Sequence, residues 1–168
     1  MSALHNPNLR IIHWLTANLV LLQLLLTATW RIFPDPLPRV DEALVQAYIT
    51  IGATIFCITF VRLVIRVTSV QLTDSRDTFR KFATIIVHAT LYTCLLVVPI
   101  SGCLKLAALG TRIHLWGVVQ LPEMSLNIVL YNTMSAVHLW TSVTLIAFLT
   151  IHIAGATFHK IVSNFSDR

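Results

Sequence analysis

The chain has 168 residues, of which 56% are hydrophobic and only 11% charged, and its mean hydropathy is +0.78. That balance excludes a water-soluble globular domain. The net charge of +5 comes without a dense basic patch, which excludes a nucleic-acid surface and points instead to contact with anionic lipid.

Four stretches carry no charged side chain: Ile11 to Trp30, Ala43 to Val61, Phe82 to Leu104 and Met124 to Phe158. Each is long enough to cross about 30 Å of hydrocarbon as a helix. They predict an all-α, integral membrane four-helix bundle in a single domain, with spans at about 10–30, 43–66, 82–104 and 127–158. Ahead of the first span, Asn6-Pro7-Asn8 is a turn signal that caps a helix entering at about Asn8 or Leu9, and His5 stays outside the membrane. The first span is too long for a secretory signal, ends in Ala28-Thr29-Trp30-Arg31 without a small-residue cleavage pattern, and is expected to be retained. It carries His13 one turn after Arg10, where the ring serves either as a ligand or, beside Trp14, as an interfacial anchor.

The next link holds Pro34, Pro36 and Pro38 and cannot be helical throughout, so it reads as short and stiff. From about Asp41 to Ala43 the second span runs through Gly52 to Arg62 and Arg66, which lie four apart on one face. These guanidiniums snorkel to lipid phosphate or pair with an acidic group inside the bundle. A hydrophilic loop of mixed charge, Thr68 to Lys81, leads to the third span. There His88 lies about two turns in from Lys81, Tyr92 follows one turn later, and Pro99 and Gly102 come near the far end, where a proline frees a carbonyl and bends the helix. Between Leu104 and Asn132 the composition turns mixed and aromatic, which predicts an interfacial segment over the end of the bundle, with His114 in it. The fourth span carries His138 and His152, fourteen residues apart. On one helix that is about 40° in azimuth and about 21 Å in rise, so the two rings share a face. His159 falls at the water boundary, and Cys57, Cys94 and Cys103 sit in spans without a C-x-x-C pair, as packing residues.

With four spans, both termini and the middle loop share a side. That side holds Arg10, Arg62, Arg66, Arg76, Arg80, Lys81, Lys160 and Arg168, against Arg31, Arg39, Lys105 and Arg112 on the other. The bias puts both termini in the cytoplasm of a bacterial inner membrane. On that orientation His13, His88 and His152 form a cytoplasmic layer, and His138 is the one span histidine near the outer side.

Imidazoles inside an apolar span are costly, and two in phase on one helix fit stacked ligand sites better than incidental hydrogen bonds to neighbouring helices. No phosphate-binding glycine loop, cysteine metal cluster or hydrolytic triad is legible. Low-spin haem b needs two axial imidazoles from different helices, and a four-helix bundle is a natural cage for it; Arg62 or Arg66 would then meet a propionate. Depth counting does not choose between His13 and His88 as partner to His152.

Several strings in this order resemble the bacterial cytochrome b561 family, which includes superoxide oxidase-type membrane cytochromes. They are RIIHWLTA opening the first span, Gly52 with FVRLVIR closing the second, HATLY then VVPISG in the third, WGVVQLP in the outer loop, and the pair His138 and His152. The resemblance implies haem b, two per chain in the family and one or two here. It implies His13 and His152 as axial ligands of the cytoplasmic-side haem, with His88 the alternative partner, and His138 as one ligand of an outer haem. The family's remaining ligand, four residues before the glycine matched to Gly52, is Tyr48 in this chain. The implied activity is electron transfer with ubiquinone, extending to superoxide:ubiquinone oxidoreduction or to a redox partner protein. Two rival readings stay open. One is a non-catalytic cytochrome subunit docking a dehydrogenase or periplasmic cytochrome; the other is a non-redox membrane anchor.

Overall fold

The structure, a computed structural model, describes residues 7–32, 38–68, 78–122 and 124–166. His5, Pro34, Pro36, most of the hydrophilic middle loop and the side chain of His159 lie outside the described residues. Four long helices carry the chain: α1 (Pro7–Ile32), α2 (Pro38–Thr68), α3 (Thr78–Ala107) and α4 (Ile128–Ser166). All four are long and apolar enough to cross a membrane, and the chain is a multi-pass membrane protein with an all-α architecture.

The first three spans sit inside helices that overrun them at both ends, and the fourth, expected from 127, meets a helix that starts at Ile128 and overruns it at the other end, because hydrophobicity marks the part in hydrocarbon whereas the hydrogen-bonded ladder continues into the polar zone. α1 starts at Pro7 and α2 at Pro38, both earlier than the sequence suggests. A proline at the first helical position loses no hydrogen bond, since that N–H is unpaired in any case, and its fixed φ suits the helix. The link after α1 is therefore shorter than its prolines imply. α4 begins with a side-chain cap, in which the Leu130 N–H donates to Asn127 Oδ1 at 2.9 Å.

The segment after α3 is more ordered than a loose interfacial stretch. It forms a small antiparallel hairpin of β1 (His114–Leu115) and β2 (Val119–Gln120), with His114 opposite Gln120. Trp116 and Gly117 make the turn at φ of 52° and 70°, and the Val118 N–H donates to Leu115 O at 3.1 Å. Two successive positive φ values at the start of this three-residue loop match the strand twist, though a tryptophan adopts one only at a cost. The hairpin does not cap the bundle. It lies along α2, where Gln46 Nε2 donates to Arg112 O, Gln46 Oε1 accepts from the His114 N–H, and the Trp116 indole donates to Thr54 Oγ1 at 3.1 Å. Ile113, at 1% exposure, and Leu115 pack with Ile49, Ala53 and Ala107.

α1 packs on α2, α2 on α3 and α3 on α4. Among the described residues, the backbones of α1 and α4 make no close approach, so the bundle is open along that side. Its interior is built from small or short side chains, Thr16, Gly52, Ala53, Thr59, Cys94 and Ser101, as close helix packing in lipid favours. Large apolar residues such as Ile11, Leu25, Phe82 and Trp140 point outward. In water that surface would drive aggregation, but in a bilayer it is the solvated face.

Candidate functional site

Residues spaced three and four apart form one stripe on each helix, and the buried members of the four stripes line the interior. On α1 the stripe is His13, Thr16, Val20, Gln23 and Thr27; on α2, Tyr48, Gly52, Ile55, Thr59 and Arg62. On α3 it is His88, Leu91, Leu95, Val98 and Gly102, and on α4, His138, Ser142, Leu145, Leu149 and His152. Each stripe spans fourteen residues, or about 21 Å of rise. His13, Arg62, His88 and His152 thus share one level at the end bearing both termini. Thr27, Tyr48, Gly102 and His138 share another at the hairpin end. Midway stand Val20, Ile55, Leu95 and Leu145, an apolar layer that separates the two.

At the terminal-side level three imidazoles from three helices converge. The ring centres of His13 and His152 are 6.3 Å apart with planes at 86°, and those of His88 and His152 are 5.1 Å apart, also at 86°. His88 Nδ1–H donates to Thr84 O at 2.7 Å, which leaves Nε2 as the lone-pair nitrogen. His13 has the opposite arrangement. Arg62 Nη1 lies 3.1 Å from His13 Nδ1, and a guanidinium only donates, so Nδ1 accepts and the ring proton sits on Nε2. Arg62 and Arg66 each lie 5.6 Å from the Tyr92 ring centre, so both turn toward the bundle. Arg62, its side chain hydrogen-bonded inside, is not a lipid-facing anchor.

The hairpin-side level is simpler. His138 Nδ1–H donates to Val98 O at 2.9 Å and lies 3.2 Å from Ser101 Oγ, whose own hydroxyl donates to Val98 O at 3.0 Å. The tautomer is fixed by the carbonyl, and Nε2 is left to coordinate. A Cβ on Gly102 would stand 3.1 Å from His138 Cε1, so the glycine is what lets the ring lie against α3. Tyr48 lies on the interior stripe of α2, and its carbonyl accepts from Gln23 Nε2 at 3.1 Å.

The structure therefore brings His13, His88 and His152 together, and sets His138 and Tyr48 at one level on two different helices. His114 joins neither group. It lines a groove of about 550 Å³ with Gln46, Thr50 and Trp116, on the face of α2 turned about 200° from Tyr48. Ser101, Gln23, Thr59 and Ser135 are interior polar residues that the sequence reading passed over. Their visible signal was a polar residue at stripe spacing inside an apolar run, easily taken for ordinary helix packing. Gln23 Oε1, Thr59 Oγ1 and Ser135 Oγ are buried without a hydrogen-bond partner, each at a typical cost of about 1–3 kcal/mol. All three lie within about one turn of a histidine level. Among the described residues, no group of three or more His, Cys, Asp or Glu is arranged to hold a metal ion by itself.

A family model described as prokaryotic cytochrome b561 matches residues 4–165, nearly the whole chain. No curated protein matches it.

Proposed function

Because the chain belongs to the prokaryotic cytochrome b561 family, a family of membrane electron carriers with b-type haem, we propose that it exchanges electrons with ubiquinone from an inner-membrane position, as a single domain with both termini cytoplasmic. In this reading His13 and His152 would hold the terminal-side haem, and His138 would hold one at the hairpin-side level. The observation that carries the pairing is the spacing across the open α1–α4 side. His13 and His152, with ring centres 6.3 Å apart, would leave room for one metal with an imidazole nitrogen at about 2 Å on each side, and His88 and His152, at 5.1 Å, would leave less.

Bound haem supplies one-electron chemistry at a potential set by its ligands and surroundings. The chain's own residues prepare the site. His13 would hold the haem through Nε2 in the tautomer with its proton on Nδ1, and Arg62, which now donates to Nδ1, would then be free to meet a carboxylate. Arg62 and Arg66 are placed to take propionates as bidentate donors. His88, held by Thr84 O, packs edge-on against His152 and limits its rotation. Val20, Ile55 and Leu145 keep the span between the two levels dry. Superoxide oxidation, which by resemblance uses a relay through both levels, finds less support, because the described residues bring a single imidazole to the hairpin-side level.

The test is a reduced-minus-oxidised spectrum of the purified full chain, followed by mixing the reduced protein with a short-chain ubiquinone. A b-type band that is bleached by the quinone is expected. A band that the quinone leaves unchanged would remove ubiquinone as partner, and absence of any b-type band would overturn the reading itself.

A further inference from the structure

The two levels differ in how many nitrogen ligands they present. At the terminal-side level three helices each bring an imidazole. Two heptads away, the interior stripes bring Thr27, Tyr48, Gly102 and His138. The Thr27 hydroxyl donates to Gln23 O, glycine has no side chain, and His114 stands across α2 on the opposite face. One imidazole is therefore available there among the described residues, and a bis-histidine centre does not fit.

The remaining features suit a centre held from one side. His138 is fixed by Val98 O and Ser101 Oγ at Nδ1 and backed by Gly102, so its Nε2 is presented as a proximal ligand usually is. On the α2 stripe at this level stands Tyr48, and a phenol binds ferric iron only as phenolate and ferrous iron poorly. Beside it, Gln23 is anchored by its Nε2 on Tyr48 O, with its buried Oε1 unpartnered. Ser135 Oγ, one turn beyond His138 on α4, is likewise buried and unpartnered. The two orphaned polar atoms flank the His138 level, one about a turn to its inner side and the other about a turn to its outer side, so the level is bordered by unsatisfied polar groups where a small polar guest is better accommodated than in the apolar middle.

From this we infer that the hairpin end holds a haem through His138 alone, and that its Tyr48 side takes a small neutral ligand of the diatomic class when the iron is reduced. The inference rests on the b-type haem reading above. It makes the chain a carrier at one end and a ligand-binding centre at the other.

The experiment uses the detergent-purified full chain, with haem quantified per polypeptide and carbon monoxide added to the dithionite-reduced protein. Two haems per chain are expected, with carbon monoxide shifting the Soret band of one and leaving the other. His138→Ala should lose one haem together with the whole carbon monoxide response, while the low-spin signal persists. Tyr48→His supplies the second imidazole; it should keep both haems, turn the ferric spectrum fully low-spin and abolish the response. Two haems with no carbon monoxide shift, one haem with none, or a shift that survives Tyr48→His each overturn the inference. In all three cases a b-type spectrum remains, which separates this failure from that of the broader reading, where no haem signal is seen.

Discussion

The terminal end of the bundle and the hairpin end are built on the same four stripes, yet they differ in charge and ligand number. At the terminal end, three imidazoles, two guanidiniums and Tyr92 crowd together around the gap between α1 and α4. At the hairpin-side level the described residues bring one imidazole, set against a glycine, and the hairpin itself lies along the far face of α2. The comparison teaches that a repeated scaffold need not repeat its chemistry. Helix phase fixes where interior positions fall, but the residue placed at each position decides whether a metal group is gripped from two sides or one.

The largest effect expected from breaking this asymmetry is at His152. His152→Ala should remove the low-spin b-type signal entirely, since no other α4 residue at that level can coordinate. His13→Ala should do the same, and His88→Ala should keep most of the signal; loss of haem in His88→Ala with retention in His13→Ala would reverse the assigned pairing. Next comes packing at the other end. In Gly102→Val the new side chain collides with the His138 ring, and overpacking of this kind costs about 1–3 kcal/mol, read as a lower thermal midpoint in detergent. An unchanged midpoint would mean that α3 and α4 do not meet as closely as described.

A smaller effect should follow from charge. Arg62→Gln removes a cation beside the terminal-side ligands, which favours the oxidised centre and lowers its reduction potential by on the order of 60 mV, a tenfold change in a one-electron equilibrium. Redox titration of this variant should leave the carbon monoxide-binding centre where it is; a shift of both centres would count against the separation by the apolar middle. The smallest effect is expected in the hairpin. Trp116→Phe deletes the hydrogen bond to Thr54 and should cost about 0.5–1.5 kcal/mol without altering either spectrum.

Much of this was legible in the chain. Charge-free stretches located all four spans, and the fourteen-residue spacing of His138 and His152 placed them on one face. The same periodicity made His88 a neighbour of Tyr92. Less legible was the start of α2, because a proline that breaks a helix internally is welcome at its first turn. The hairpin was missed because Trp116-Gly117 departs from the Asn-Gly and Asp-Gly pairs that usually announce such turns. Gln23 and Ser101 were passed over because a polar residue in a span says nothing by itself about what it faces.

By itself the sequence determined the class, the number of spans, the two histidine levels and the family, since these follow from local hydrophobicity and helical period. Tertiary structure decided the rest. That Arg62 turns inward to His13, that His138 is oriented by α3, that His114 falls on the wrong face of α2, and that α1 and α4 stand apart are all relations between helices. They depend on interhelical rotation and spacing, which are set by small residues packing across the interior and not by any one helix alone.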